Sequence, residues 1–309
     1  MPRDTLDYRG HQGSYHKGHK PMIHDQFINS HTMRQRYWGR ATIGWKEFAN
    51  KLPNEGHHAL TQLEKMGKIG VTFEDSVDYY KRNNEAADVK WTFTDESQRM
   101  TIITQNVDGL HRKSGSDHVT ELHGGLDRLV CMKCGSFQCR DHFQEQLDTL
   151  NSSWIKRVKA EIKTNASDQL RPDGDTFISR ENYEGIKIPF CEACFSDEIP
   201  LEEIKNANTR SFLKPDVVFF GDSVPKDRVN RCYAAVNACD GLLCIGSSLA
   251  VLSAYRFVTH AAEHNIPIAI LNVGETRAEV NGLDVLKIES PVGPTLRELV
   301  KLYDSETKT

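Results

Sequence analysis

Two Cys-x-x-Cys pairs, Cys131/Cys134 and Cys191/Cys194, constrain this chain more than any other feature. Such a turn aims two thiolates at one tetrahedral centre, and a second pair completes a Cys₄ sphere of the kind Zn²⁺ prefers. Four thiolates leave no open coordination position. A zinc held there is therefore structural, and the chemistry has to come from other residues. The other four cysteines, Cys139, Cys232, Cys239 and Cys244, are unpaired in spacing or fall in predicted core elements. The chain opens without a signal-peptide pattern, and the pairing fits a metal better than a disulfide framework. The expectation is an intracellular protein in a reducing compartment.

The 309 residues suffice for one large domain and a smaller module. A net charge of −4 argues against an electrostatic nucleic-acid binder, and no apolar run reaches transmembrane length. His11, His16, His19, His24 and His31 are irregularly spaced and lack neighbouring cysteines, so they read as solvated surface.

The C-terminal third has the clearest rhythm. Short apolar runs at 217–220, 242–245 and 268–271 alternate with helical patterns at 225–238, 253–264 and 294–303. Continuous apolar strands between amphipathic helices predict an α/β fold with a parallel sheet covered on both faces. Residues 100–104 read as another strand of that sheet, preceded by a helix at about 54–66 with Gly67 past its end. Residues 1–124 and 213–309 are assigned to the sheet domain. Residues 125–212 form an inserted zinc module, with a helix near 141–150. Segment 70–99 holds seven acids against four basic residues without a sustained period. Like 195–212, it reads as a surface insertion.

Three polar loops follow predicted strands: Gln105-Asn106-Val107-Asp108, Gly246-Ser247-Ser248 and Asn272-Val273-Gly274. Small residues let backbone amides approach a ligand, and Ser, Asn and Asp can bond phosphates and ribose hydroxyls. Three such loops at the carboxyl ends of one parallel sheet point to a nucleotide site. His123, in Glu121-Leu122-His123-Gly124, is the candidate general base because imidazole titrates near neutrality.

Taken together, Thr104 to His111, Glu121 to Gly124, the paired cysteines, Lys214 to Asp222 and Gly246 to Leu249 resemble a sirtuin. Arg34 to Trp38 and Pro267 to Asn272 are most similar to the class II, mitochondrial type. The resemblance implies a Rossmann-like domain with a Cys₄ zinc module, and NAD⁺ as co-substrate of an acyl-lysine protein deacylase. In that scheme the acyl oxygen attacks the nicotinamide ribose, nicotinamide leaves, and His123 acts as base while the acyl group moves to ADP-ribose. Gln105, Asn106, Val107 and Asp108 would hold the ribose and nicotinamide. Gly246, Ser247, Ser248, Asn272, Val273, Gly274 and Val292 would hold the diphosphate and adenosine half. Val217, Val218 and Phe219 would pair with the substrate backbone as an added strand. The class II type is associated with removal of lipoyl and biotinyl groups, with ADP-ribosyl transfer, and with the mitochondrial matrix.

The resemblance also sets an expectation for the front of the chain. Sirtuins open on a central strand and a Gly-Ala-Gly-x-Ser turn, whereas this chain opens on Leu6-Asp7-Tyr8-Arg9, which matches the family's segment just after that turn. Asp7, Tyr8, Arg9 and Tyr15 would line the cofactor loop. Without the first strand, its neighbours in the sheet would be left with bare edges and NAD⁺ binding would be weak. The competing reading is a catalytically impaired protein-binding module that keeps the zinc and the substrate groove.

Overall fold

A single serine separates the first two helices. The Ser30 side chain accepts a hydrogen bond from the Met33 amide at 3.3 Å, capping α2 (His31–Ala49) just where α1 (His24–Asn29) ends. α3 (Glu55–Lys65) starts with a reciprocal capping box between Asn54 and His57, and Gly67 closes it in the left-handed region at φ +67°. The computed structural model describes residues 21–72, 99–164, 183, 185–194 and 211–306. Asp7, Tyr8, Arg9, Tyr15 and most of segments 70–99 and 195–212 lie outside the described residues.

After α3 come β1 (Val71–Thr72), β2 (Arg99–Met100), β3 (Ile102–Thr104), the short α4 (Leu110–Lys113) and β4 (Val119–Glu121). The region of the cysteine pairs contains β5 (Gly124–Cys131), β6 (Phe137–Cys139), α5 (Arg140–Leu150), α6 (Ser152–Thr164) and β7 (Leu213–Val217). The remainder alternates: α7 (Lys226–Asn237), β8 (Leu242–Ile245), α8 (Leu252–Glu263), β9 (Ile268–Leu271), α9 (Arg277–Val280), β10 (Leu286–Ile288) and α10 (Val292–Glu306). The helices expected at 225–238, 253–264 and 294–303 are α7, α8 and α10.

Strands β8, β9 and β10 form a parallel sheet with β9 in the middle, in register Leu242↔Ile268 and Ala269↔Leu286. β3 and β4 form a separate parallel pair. The strand at 100–104 therefore does not join β8–β10 among the described residues. None of the four apolar residues of β8 is fully buried, and Leu243 is 40% exposed.

The second correction concerns 217–220. The strand is Leu213–Val217, and it runs antiparallel to β5, in register Cys131↔Leu213, rather than in the parallel sheet. The reason is local. Gly124 sits at φ +84°, and a Cβ there would lie 1.7 Å from the Asp216 carbonyl oxygen, so only glycine admits β7 so closely. Beyond Val217 the backbone turns away at Gly221 (φ +82°), and Phe220 is left 48% exposed.

Two of the four apolar cores among the described residues flank the site. Phe27, Trp38, Leu129, Phe143, Leu147 and Leu213 pack α1 and α2 against β5, β7 and the buried Cys131 and Cys191. Val236, Tyr255, Phe257, Val258, Ile268 and Ile270 join α7 and α8 to β9. No described helix is long and apolar enough to cross a membrane.

Candidate functional site

The four Sγ atoms of Cys131, Cys134, Cys191 and Cys194 all lie within 4.8 Å of one another. The Cys131–Cys194 and Cys134–Cys191 separations are 3.6 and 3.7 Å. A tetrahedral zinc with bonds near 2.3 Å requires sulfur–sulfur edges of roughly 3.8 Å, so the donor set fits the ion. Turn geometry produces this: Gly135 at φ +74° folds the first pair back, and a single 3₁₀ turn, Glu192–Cys194, carries the second. Desolvation raises the Cys134 thiol, but the Ser136 bond and the neighbouring thiols outweigh it and pull it down to about 6, while Cys131 and Cys194 are pushed up. The other four cysteines lie outside this cluster.

A cavity of about 1830 Å³ opens beside this module. All three polar loops reach it, through Gln105, Asn106, Val107 and Asp108 after β3, Gly246, Ser247 and Ser248 after β8, and Asn272 and Val273 after β9. His123, Val217, Val218, Phe219 and Val292 line it as well. Gly274 does not line it; its carbonyl instead accepts from Asn272 Nδ2 and Lys287 Nζ, which shape the loop.

Among the described residues, two hydrogen bonds link segments that line the cleft. Gln105 Nε2 donates to Ser247 Oγ at 2.9 Å, tying the loop after β3 to the loop after β8. His123 Nε2 lies 2.8 Å from Ser253 Oγ at the start of α8. Ser247 Oγ also accepts from the Leu249 amide, helping hold buried Leu249 at φ +55°, a backbone region costly for a branched residue. Asp108 Oδ1 accepts from the Leu110 amide and so starts α4.

The tautomer of His123 is set by its partners. Its Nδ1 lies 3.1 Å from the Gln105 carbonyl, which can only accept, so Nδ1 carries the proton. Nε2 then keeps its lone pair and accepts from the Ser253 hydroxyl. Desolvation by burial lowers the His123 pKa, the Gln105 carbonyl opposes this, and Arg228 adds to it. The ring is thus neutral and able to accept a proton at Nε2 near neutral pH. His57 and His111 stand on the same wall with ring centroids 4.7 Å apart. His57 is pushed down to about 4, first by burial and then by His111.

Behind His123 lies an ion cluster that sequence reading misses. Arg128 donates to Asp216 at 2.7 Å and to Glu121 at 2.9 Å, and Arg228 donates to the Leu122 carbonyl at 3.2 Å. Burial disfavours the Arg128 charge, but Asp216 and Glu121 together outweigh that and raise its pKa. The cluster ties β4, β5, β7 and α7 around His123, while Val218 donates its amide to the His123 carbonyl at 2.9 Å. Glu121 and Asp216 belong to the motif segments already noted, whereas Ser253 and Arg128 carry no local signal: they meet His123 and Asp216 only through the fold.

Residues 84–253 match the Sir2 family. The NAD-dependent protein lipoamidase sirtuin-4, mitochondrial, of Homo sapiens is 37% identical over 300 residues, covering 96% of this chain and 76% of the relative. The NAD-dependent protein deacylase Sirt4 of Drosophila melanogaster is 35% identical over 303 residues, with 97% and 79% covered. Among solved structures, a Sir2 homologue mutant in complex with ADP-ribose superposes with a TM-score of 0.61 at 19% identity, over 98% of this chain and 87% of that one. A Sir2–p53 peptide–NAD⁺ complex gives 0.56 at 20%, over 91% and 82%. These structures share the fold.

Proposed function

The chain belongs to the Sir2 family, and from that premise we propose that it is an NAD-dependent protein-lysine deacylase of lipoamidase type, with His123 as its general base. The observation that carries the proposal is the His123 ring in the shared cavity, neutral, with Nδ1 tied to the Gln105 carbonyl and Nε2 presenting a lone pair. NAD⁺ supplies a ribose carbon from which nicotinamide leaves and hydroxyls that receive the acyl group. The residues of the chain divide the remaining work. Gln105, Asn106 and Asp108 orient the ribose end, and Ser247, Ser248 and Asn272 the diphosphate and adenosine end. His123 Nε2 would take the proton of a ribose hydroxyl as that oxygen attacks the acyl carbon and the lysine amine leaves, exchanging its bond to Ser253 for one to substrate, so that acyl-lysine, NAD⁺ and one water give lysine, nicotinamide and O-acyl-ADP-ribose. The apolar rim at Val217–Phe219, one side of which is bonded to His123, receives the extended substrate backbone.

The module with Cys131, Cys134, Cys191 and Cys194 holds zinc away from these steps, so the metal shapes the rim and takes no part in proton transfer. The relatives named lipoamidase favour a lipoyl group over acetyl, and their mitochondrial names favour the same compartment here. The class II resemblance is also the ground for testing ADP-ribosyl transfer in the same assay.

The experiment is incubation with NAD⁺ and lipoyl-, biotinyl- and acetyl-lysine peptides, following nicotinamide release and peptide mass. Deacylation should require NAD⁺ and proceed one nicotinamide per acyl group removed, with lipoyl fastest. His123→Ala should lose about 10²–10⁴-fold of the rate with zinc content unchanged. Acyl loss that ignores NAD⁺, or a His123→Ala enzyme as fast as its parent, overturns the reading.

A further inference from the structure

The far end of α8 carries a group that the cavity does not use. His260, Glu263 and His264 each offer a ligand atom, and these atoms lie within 4.8 Å of one another. Positions i, i+3 and i+4 share one helix face, and the two imidazole rings lie 4.0 Å apart between centroids with their planes tilted by 41°. Proximity alone is common on helices. The hydrogen bonds are what distinguish this trio.

Each imidazole has one nitrogen committed to an acceptor. His264 Nδ1 lies 2.8 Å from the His260 carbonyl and His260 Nε2 lies 2.6 Å from Asn237 Oδ1. A carbonyl oxygen and an amide oxygen can only accept, so those two nitrogens carry the protons. His264 Nε2 and His260 Nδ1 keep their lone pairs. Metal-ligating histidines typically pass their other ring proton to such a partner, which fixes the tautomer and raises ligand basicity. The backbone is fixed as well. Asn265 takes the left-handed conformation at φ +56°, and the Ile266 amide returns to the Ala261 carbonyl, locking the turn that presents His264. The Tyr233 ring supports His260 edge-on at 4.8 Å. The carboxyl end of a helix, where carbonyl dipoles accumulate, also favours a bound cation.

We propose that His260, Glu263 and His264 form a second metal site, with Asn237 as its orienting partner, for a divalent cation of the Zn²⁺ or Ni²⁺ type. Two imidazoles and one carboxylate suit these ions better than Ca²⁺ or Mg²⁺, which take all-oxygen shells. Three protein ligands leave coordination positions for water, unlike the closed Cys₄ centre. The site is exposed, so it exchanges its ion with solvent. Through Asn237 at the end of α7 it braces α7 against α8, the helix whose other end holds Ser253 on His123.

The test is titration of the full chain with Ni²⁺ by calorimetry, the Cys₄ centre being preloaded with zinc and its retention followed by metal analysis. One equivalent of Ni²⁺ should bind with zinc retained and should raise the melting temperature. His264→Ala and His260→Ala should abolish both effects, and Asn237→Ala should weaken binding about 10-fold. His58→Ala, an exposed histidine on α3, should change nothing. All substituted residues lie at or near the surface, and the variants' melting temperatures without nickel report whether folding is intact. Absence of a nickel equivalent in the parent, or nickel binding that survives His264→Ala, overturns the site.

Discussion

The zinc module and the nucleotide cleft sit side by side and are built on opposite principles. Around Cys131 and Cys191 everything is closed: the β6–β5–β7 sheet is antiparallel, the thiols converge, and Trp38, Phe143 and Leu147 fill the space behind them. Across His123 the structure is open. β3 and β8 do not pair among the described residues, Leu243 and Val273 are exposed, and the Gln105–Ser247 and His123–Ser253 hydrogen bonds link the segments that line the cleft. A metal centre is specified by a few ligands in two short turns. A cleft that must admit a large co-substrate needs parts from distant segments and cannot close over them. The contrast predicts a rigid module with concentrated stability, and a cleft whose stability is thin and coupled to protonation.

The largest effect should come from opening the closed side. Cys191→Ser removes one of four ligands, and a structural zinc centre carries on the order of 10 kcal/mol of apparent binding energy. The variant should lose its zinc and the cooperative unfolding of the β5–β7 region. Cys232→Ser, a buried thiol outside the cluster, should keep its zinc. Metal analysis and thermal melts on both variants decide the matter. Equal zinc loss would mean that the cluster is not the metal centre.

Gly124→Ala tests the seam between the two regions. Alanine at φ +84° is strained, and its Cβ would collide with the Asp216 carbonyl. We expect a loss of about 3–5 kcal/mol in denaturant unfolding, among the larger values for one residue. It should be accompanied by displacement of His123, seen as lost activity in whatever protein stays folded. A stability close to that of the parent would mean that β7 can retreat from β5 without cost.

This seam also marks where the sequence is legible and where it is not. The Cys₄ centre is legible because its ligands come in local pairs whose spacing is itself the geometry. The strands at 242–245 and 268–271 and helices α7, α8 and α10 are legible because burial imposes a period. The strand at 213–217 is displaced by a few residues from the apolar run that suggests it. Val217 to Phe220 look like a buried strand but line a cavity rim, whereas Lys214 and Pro215 look unlike one and are buried. Apolar character records distance from water and does not say which element supplies the cover. The long helix α2 does not read as a helix, because its buried face carries Arg34, Arg40 and Thr42 among the aromatics. Arg34 is accommodated by the Phe27 and Ile28 carbonyls and the Phe212 ring, and Phe212 is a partner that only the fold brings near. Ser253 is invisible for the same reason, lying 130 residues from His123. The roles of the loop residues come through resemblance to a family, since Gly-Ser-Ser alone is an ordinary turn.

A moderate effect should accompany pH, and it should be traceable to the open side. His57, His111 and His123 all have pKa values lowered in the folded protein, chiefly by burial, with His57 at about 4. In the unfolded chain each titrates near 6.5. Between that value and the lower folded ones the unfolded chain binds more protons. Their contribution to stability is therefore complete above about pH 6.5 and is lost as pH falls towards 4. Urea melts from pH 8 to pH 5 should show a falling midpoint. His57→Gln, which keeps a side-chain acceptor for the capping box of α3, should flatten the slope. A slope unchanged in that variant would move the pH dependence elsewhere.

The smallest effect is the most specific. Ser253→Ala deletes the hydroxyl that donates to His123 Nε2 and leaves the Nδ1 bond to Gln105 in place. A hydrogen bond donated to the neutral ring disfavours its protonation, so its removal should let the His123 pKa rise towards the ordinary histidine value. The acid limb of the deacylation profile should then move to higher pH. Because substrate replaces the serine at Nε2, turnover of the bound complex should hold, and the shift should appear in the acid limb of kcat/KM, which reports the free protein. Substrate no longer has to displace a bond worth about 1 kcal/mol, so KM should fall by up to about 5-fold. If the acid limb stays where it was, Ser253 does not set the proton affinity of His123. If the limb moves while turnover holds, the serine sets the proton affinity of the base and Gln105 alone sets its orientation. Either result says which of the two bonds to the His123 ring the chemistry depends on.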